Sequence, residues 1–127
     1  MAVQTFVDSF NVTLGGVGST IARTGYGFAP KAIILWLVGR TESVDTAGAG
    51  SYRLLPGVAT SPTARGCVTS ESEDNAATSD ARSTFDNAEI ARVIGTAGAT
   101  EGLLDVQTFD SDGVTFVIDD QFPTDYR

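Results

Sequence analysis

Sixteen carboxylates and no histidine set the chemistry open to this 127-residue chain. Without histidine there is no Ser-His-Asp or Cys-His centre and no histidine-ligated metal. Carboxylate chemistry remains. The acidic groups closest in sequence are Glu71, Glu73 and Asp74, then Asp110 and Asp112, then Asp119 and Asp120. A glycosidase needs two carboxyls facing each other across a cleft. Successive side chains of an extended chain point to opposite faces, so Asp119 and Asp120 would not meet if they lay in a strand, and a solvated turn is the simpler reading. Asp110-Ser111-Asp112-Gly113 has the opening of an oxygen-ligand calcium loop but lacks the later acidic ligand and flanking helices. It reads as a β-turn that Asp begins and in which Gly113 supplies a positive φ.

The other chemistry-bearing types give the same answer. Cys67 is the only cysteine, which excludes an internal disulfide and any cysteine metal cluster. It precedes Val68 in a strand-like run and is expected to be a small buried hydrophobe. Gly15-Gly16-Val17-Gly18-Ser19 lacks the lysine of a phosphate loop and the third glycine of a dinucleotide fingerprint, so it reads as a turn. Trp36 lies inside an apolar run, where core packing is favoured over a sugar-stacking platform. No catalytic residue, metal ligand, cofactor-binding residue or cofactor is assigned.

The elements that position these residues read as short strands. Residues 31–38, Lys31-Ala32-Ile33-Ile34-Leu35-Trp36-Leu37-Val38, are almost wholly apolar and are bounded by Gly27 and Pro30 before and Gly39 after. The run is too short to cross a bilayer as a helix. It predicts a central strand covered on both faces. Residues 10–14 alternate apolar and polar; residues 20–25 read as a short strand; residues 51–55 read as a strand ending at Pro56-Gly57; and residues 66–70 read as another. Residues 41–50 and 71–84 read as polar surface loops, and 85–94 as a strand or one and a half helical turns, the strand being favoured. Residues 103–109 and 114–118 pair across the Asp-rich turn. A turn over 119–123 then leads into a strand begun at 124–127. The fold class expected is all-β: one domain over 1–127, an antiparallel, jelly-roll-like β-sandwich of about seven to nine short strands, with 1–9 as an assembly arm.

Composition narrows the partners. Net charge is −8, with one lysine, Lys31, beside seven arginines. That balance argues against a nucleic-acid backbone and against an anionic membrane surface. Residues 1–8 have neither the basic region nor the apolar core of a secretory signal. Release by assembly into a particle, after cytoplasmic synthesis, is the expectation.

From Gly27 onward the chain resembles a family of phage tail and fibre structural proteins. The resemblance rests on Gly27-Phe28-Ala29-Pro30-Lys31-Ala32-Ile33-Ile34-Leu35-Trp36, Gly39-Arg40-Thr41-Glu42-Ser43, Arg65-Gly66-Cys67-Val68-Thr69-Ser70, Gly102-Leu103-Leu104-Asp105, and the Asp110–Asp120 stretch. It implies a β-sandwich module of a virion or tail, without enzymatic activity. The family pattern continues past the final Asp-rich turn into another apolar strand, whereas this sequence stops at Tyr126-Arg127, so the expectation is either a shortened module or a strand supplied by a neighbouring subunit. Two functions follow as expectations. One is a structural subunit that forms homo-oligomers with itself and with other virion proteins through sheet edges and terminal arms. The alternative is a lectin-like module that binds a glycan with its end loops.

Overall fold

The computed structural model describes residues 2–12, 15–38, 52–73, 80–95 and 98–123. Among them run eight strands: β1 (Thr20–Thr24), β2 (Ile33–Val38), β3 (Tyr52–Ser61), β4 (Ala64–Glu73), β5 (Asp80–Asp86), β6 (Ala91–Ile94), β7 (Thr100–Asp110) and β8 (Gly113–Asp120). They form two antiparallel four-stranded sheets, ordered β1-β8-β7-β6 and β2-β3-β4-β5. The expected antiparallel β-sandwich is therefore the fold. Sheet contact runs through β3 and β4 on one side and β6 and β7 on the other.

Alternation builds the core. Leu35, Leu37, Leu55 and Ala59 face Val93, Leu104, Val106, Val114, Phe116 and Ile118, with Val12 and Phe122 buried in the same cluster. Complete burial of a side chain of this size contributes about 1.5–3 kcal/mol. The chain crosses between sheets at residues 87–90, between β5 and β6. There the Ile90 N–H donates to the Leu104 carbonyl.

Four sequence expectations change. The 31–38 run is not a central strand covered on both sides. It forms β2, an edge strand paired with β3 alone, and it alternates: Leu35 and Leu37 are buried, while Ile34 and Trp36 are 71% and 64% exposed. A continuous apolar run signals cover on both faces without saying whose atoms supply it. The strand expected to stop at Pro56-Gly57 instead continues to Ser61. Its register pairs with β4 pass from Leu54–Ser70 to Gly57–Cys67, skipping Leu55 and Pro56. Proline has no N–H to give a ladder, and the interruption is local. The loop expected over 71–84 is largely strand, since β4 reaches Glu73 and β5 starts at Asp80. Ion pairs, described below, satisfy the polar side chains that made it read as a loop. The strand expected over 85–94 is split by the crossing at 87–90. The expected strand at 124–127 and the loop at 41–50 lie outside the described residues.

Candidate functional site

The sheet β2-β3-β4-β5 carries its charges on the side facing the other sheet. Arg53 of β3 pairs with Glu71 of β4 at 2.9 Å, and Arg82 of β5 approaches the same carboxylate at 3.8 Å. Arg53 also reaches Glu101 of β7 at 3.5 Å. Arg92 of β6 pairs with Asp86 of β5 at 3.0 Å, and Arg82 donates to the Gly95 carbonyl at 2.9 Å. The Thr69 hydroxyl donates to the Arg92 carbonyl. The contacts to Glu101, Arg92 and Gly95 stitch this sheet to the other. Burial opposes ionisation of Asp86, but hydrogen bonds from Ala88 and Arg92 hold its carboxyl below the ordinary range.

A second cluster joins four elements. Arg65 of β4 meets Asp105 of β7 at 2.5 Å, and Val106 N–H donates to the same carboxylate at 2.7 Å. Glu89, in the crossing segment, and Asp119 of β8 complete it; one oxygen from each of Glu89, Asp105 and Asp119 lies within 4.8 Å of the others. Glu89 Oε2 is buried without a hydrogen-bond partner. Burial, then the charges of Asp105 and Asp119, push the Glu89 carboxyl up to about 7, against the pull of Arg65. Burial likewise raises Asp105, offset by the Val106 N–H and by Arg65. Three oxygens of this kind are the donors a hard cation takes. Here the Arg65 guanidinium already sits on Asp105 and supplies positive charge to the cluster.

The sequence-singled residues are dispersed. Asp112 does not present its oxygens to a cation: they accept from Gly25 N–H at 3.0 Å and Gly27 N–H at 2.6 Å, fixing a bend in which both glycines have positive φ. Asp110 accepts from the hydroxyls of Thr108 and Thr115. Gly113 lies outside the positive-φ set, contrary to the turn reading. It is instead the point where β8 passes so close to the Arg23 carbonyl of β1 that a β-carbon would collide with it. Asp119 and Asp120 end strand β8 and do not form a free turn. Glu71 is buried in the ion-pair network, and Asp74 lies outside the described residues. Cys67 is buried, and burial together with Asp86 pushes its thiol up to about 11, which makes it inert. Glu89 and Arg65 had no local sequence signal, because the fold alone brings distant charges together.

The N-terminal arm lies along the outside of its own chain. Asp8 grips Arg23 of β1 through two hydrogen bonds, at 2.7 and 2.9 Å, and Phe6 stacks on Tyr26 at 4.4 Å. That grip holds the Asp8 carboxyl below its ordinary value. Val3 and Val7 remain exposed.

The largest unpartnered feature is the outer face of β2-β3-β4-β5. Register aligns Trp36 with Pro56 and Val68 with Phe85, and the β3–β4 offset sets those two pairs side by side in one cross-strand row. Ile34 and Val58 form the next row, and Val38 and Leu54 the one on the other side. Tyr52 extends the patch. Ile34, Trp36, Val38, Tyr52, Val58, Val68 and Phe85 are between 37% and 71% exposed. The remaining described outward positions of β4 and β5 are Ala64, Gly66, Ser70, Ser72, Ala81 and Ser83. No described outward side chain of this sheet is charged. Trp36, which the sequence placed in the core, stands near the middle of this patch.

Comparison of the chain with family models, with curated proteins and with solved structures returns no match.

Proposed function

We propose that this protein is a non-enzymatic structural subunit that works in an assembly of copies, as a module of a virus particle or tail. The carrying observation is the outer face of β2-β3-β4-β5. Charge is turned inward on that sheet and apolar surface is turned outward. A monomeric protein spends its apolar residues the other way round, and an exposed patch of this extent marks an interaction site. The phage resemblance, which rests on the Gly27–Trp36 stretch and the Asp-rich hairpin, supplies the particle as the setting. Asp110, Asp112 and Glu71, engaged by hydroxyls, N–H groups and arginines, support a role without chemistry.

A glycan-binding module is the second reading, and one observation favours it: Trp36, Tyr52 and Phe85 are exposed aromatics on one sheet. Sugar recognition also needs side chains that bond hydroxyls in fixed directions. The described outward side chains around the three aromatics offer serine hydroxyls but no carboxylate, amide or guanidinium. Assembly is therefore the better reading of the face.

Static light scattering of the full chain over a wide concentration range tests the proposal. Mass above that of a single chain, rising with concentration or fixed as a large particle, is expected. A monomer at every concentration that binds an immobilised glycan array would replace the assembly reading with the lectin reading.

A further inference from the structure

The partner of the outer face follows from its area, charge and symmetry. Building on the assembly reading, we propose that the face of β2-β3-β4-β5 docks on the same face of a second copy, making a two-fold, sheet-on-sheet dimer with the Trp36–Pro56–Val68–Phe85 row at its centre.

Area fits first. At the exposures found, the three aromatics alone present about 300–500 Å² per copy, taking about 150–250 Å² for each whole aromatic side chain, and Ile34, Val38, Val58 and Val68 add to it. A standard stable interface takes about 800 Å² from each partner. The largest apolar patch of an ordinary monomer is about 300–600 Å².

Charge points to a copy of this chain and away from an unlike partner. The protein carries 24 ionisable Asp, Glu, Lys and Arg side chains and a net charge of −8, so two copies repel almost everywhere. The described outward positions of this sheet carry none of that charge. Recognition of an unlike protein normally shows complementary charge at the rim that steers and selects it. A face stripped of charge on a strongly acidic chain is the one place where two copies meet without placing like charges opposite each other.

Symmetry completes the case. A two-fold contact uses one patch twice, so the patch must complement itself. Sheets stack face to face at about 10 Å with their strands roughly aligned, through interdigitated apolar side chains. The outer face, with large side chains in rows and small ones at Gly66, Ser70 and Ser83, has the relief that such stacking uses. The continuous apolar run of β2 then receives cover on both faces: Leu35 and Leu37 from its own chain, Ile34 and Trp36 from the partner.

The rival contact is edge pairing through β2, whose exposed edge carries no charge or proline between Ile33 and Val38. Phe85, on the opposite edge strand β5, separates the two. The test is sedimentation equilibrium of the full chain and of the Phe85→Glu variant. Stacked faces predict that the variant self-associates at least about 10-fold more weakly, since the substitution places a carboxylate at the end of the interface's central row, against apolar side chains. Undiminished association of a folded variant would overturn face stacking and leave the assembly reading standing, with β2 edge pairing as the contact. Absence of association in the parent chain would overturn both. Should circular dichroism show Phe85→Glu unfolded, the Val68→Ser/Phe85→Ser double variant, which extends the serines already on that face, takes its place with the same opposed outcomes.

Discussion

The carbonyl oxygen of Ile90 stands where a β-carbon on Gly57 would be built, well inside van der Waals contact. Gly57 lies in the middle of β3, and Ile90 ends the segment that carries the chain from one sheet to the other. The glycine is thus what lets the crossing lie flat on the sheet. Gly57→Ala must push the crossing away from β3, with Ile90 and Ala91 behind it. We expect a loss of at least about 2 kcal/mol of stability, read from urea midpoints, because overpacking against backbone has no side-chain rotation to relieve it. A loss near zero would mean that the crossing is not seated on β3.

The pH dependence has a defined sign. Glu89 is held up at about 7 in the fold and returns to about 4.5 on unfolding. The native state therefore holds the extra proton between those values, and stability present at low pH falls as pH rises from about 4.5 through 7. Asp105, also raised by burial, acts in the same direction. The lowered carboxyls Asp8 and Asp86 act oppositely, but only below their unfolded values near 3.8. Urea midpoints between pH 5 and 7.5 should decline, and Glu89→Gln should flatten the decline. A slope unchanged in the variant would remove Glu89 as its source.

Asp112 organises a bend by accepting from Gly25 and Gly27, so its removal leaves two N–H groups without their carboxylate. Asp112→Ala should cost about 1–3 kcal/mol. Because both oxygens are engaged, calcium should leave the melting temperature of the parent chain unchanged in scanning calorimetry. A rise of several degrees with calcium would make the hairpin a metal loop after all.

Trp36→Ala reverses its sequence expectation. A core tryptophan would lose about 3–5 kcal/mol on truncation. An outward one at 64% exposure leaves the dilute, monomeric protein within about 1 kcal/mol of its parent. Chemical denaturation at low protein concentration distinguishes the two figures.

Much of the fold could be read from period-two patterns. The hairpin of β7 and β8 is written in Val114, Phe116 and Ile118 against an Asp-rich turn, and its strands fall where alternation puts them. Two kinds of information were missing. The inward side of β4 and β5 is charged, so residues such as Glu71 and Arg82 read as loop until Arg53 of the same sheet and the Gly95 carbonyl of the second sheet meet them. Phe122, placed in a turn by its neighbours Gln121 and Pro123, is buried against Gly102. The apolar run of β2 predicts a central strand covered on both faces, whereas β2 is an edge strand that buries only its Leu35 and Leu37 side. The Glu89–Asp105–Asp119 cluster was invisible because no local spacing joins its members.

Trp36 is the only tryptophan in the chain, so its fluorescence reports on the outer face alone. The most direct test is acrylamide quenching of Trp36 across a dilution series that spans the self-association seen by light scattering. Stacked faces predict a blue-shifted, protected tryptophan at high concentration that becomes red-shifted and readily quenched as the copies separate. A tryptophan equally open to acrylamide in the assembled and the dilute protein would contradict burial of this face between two copies.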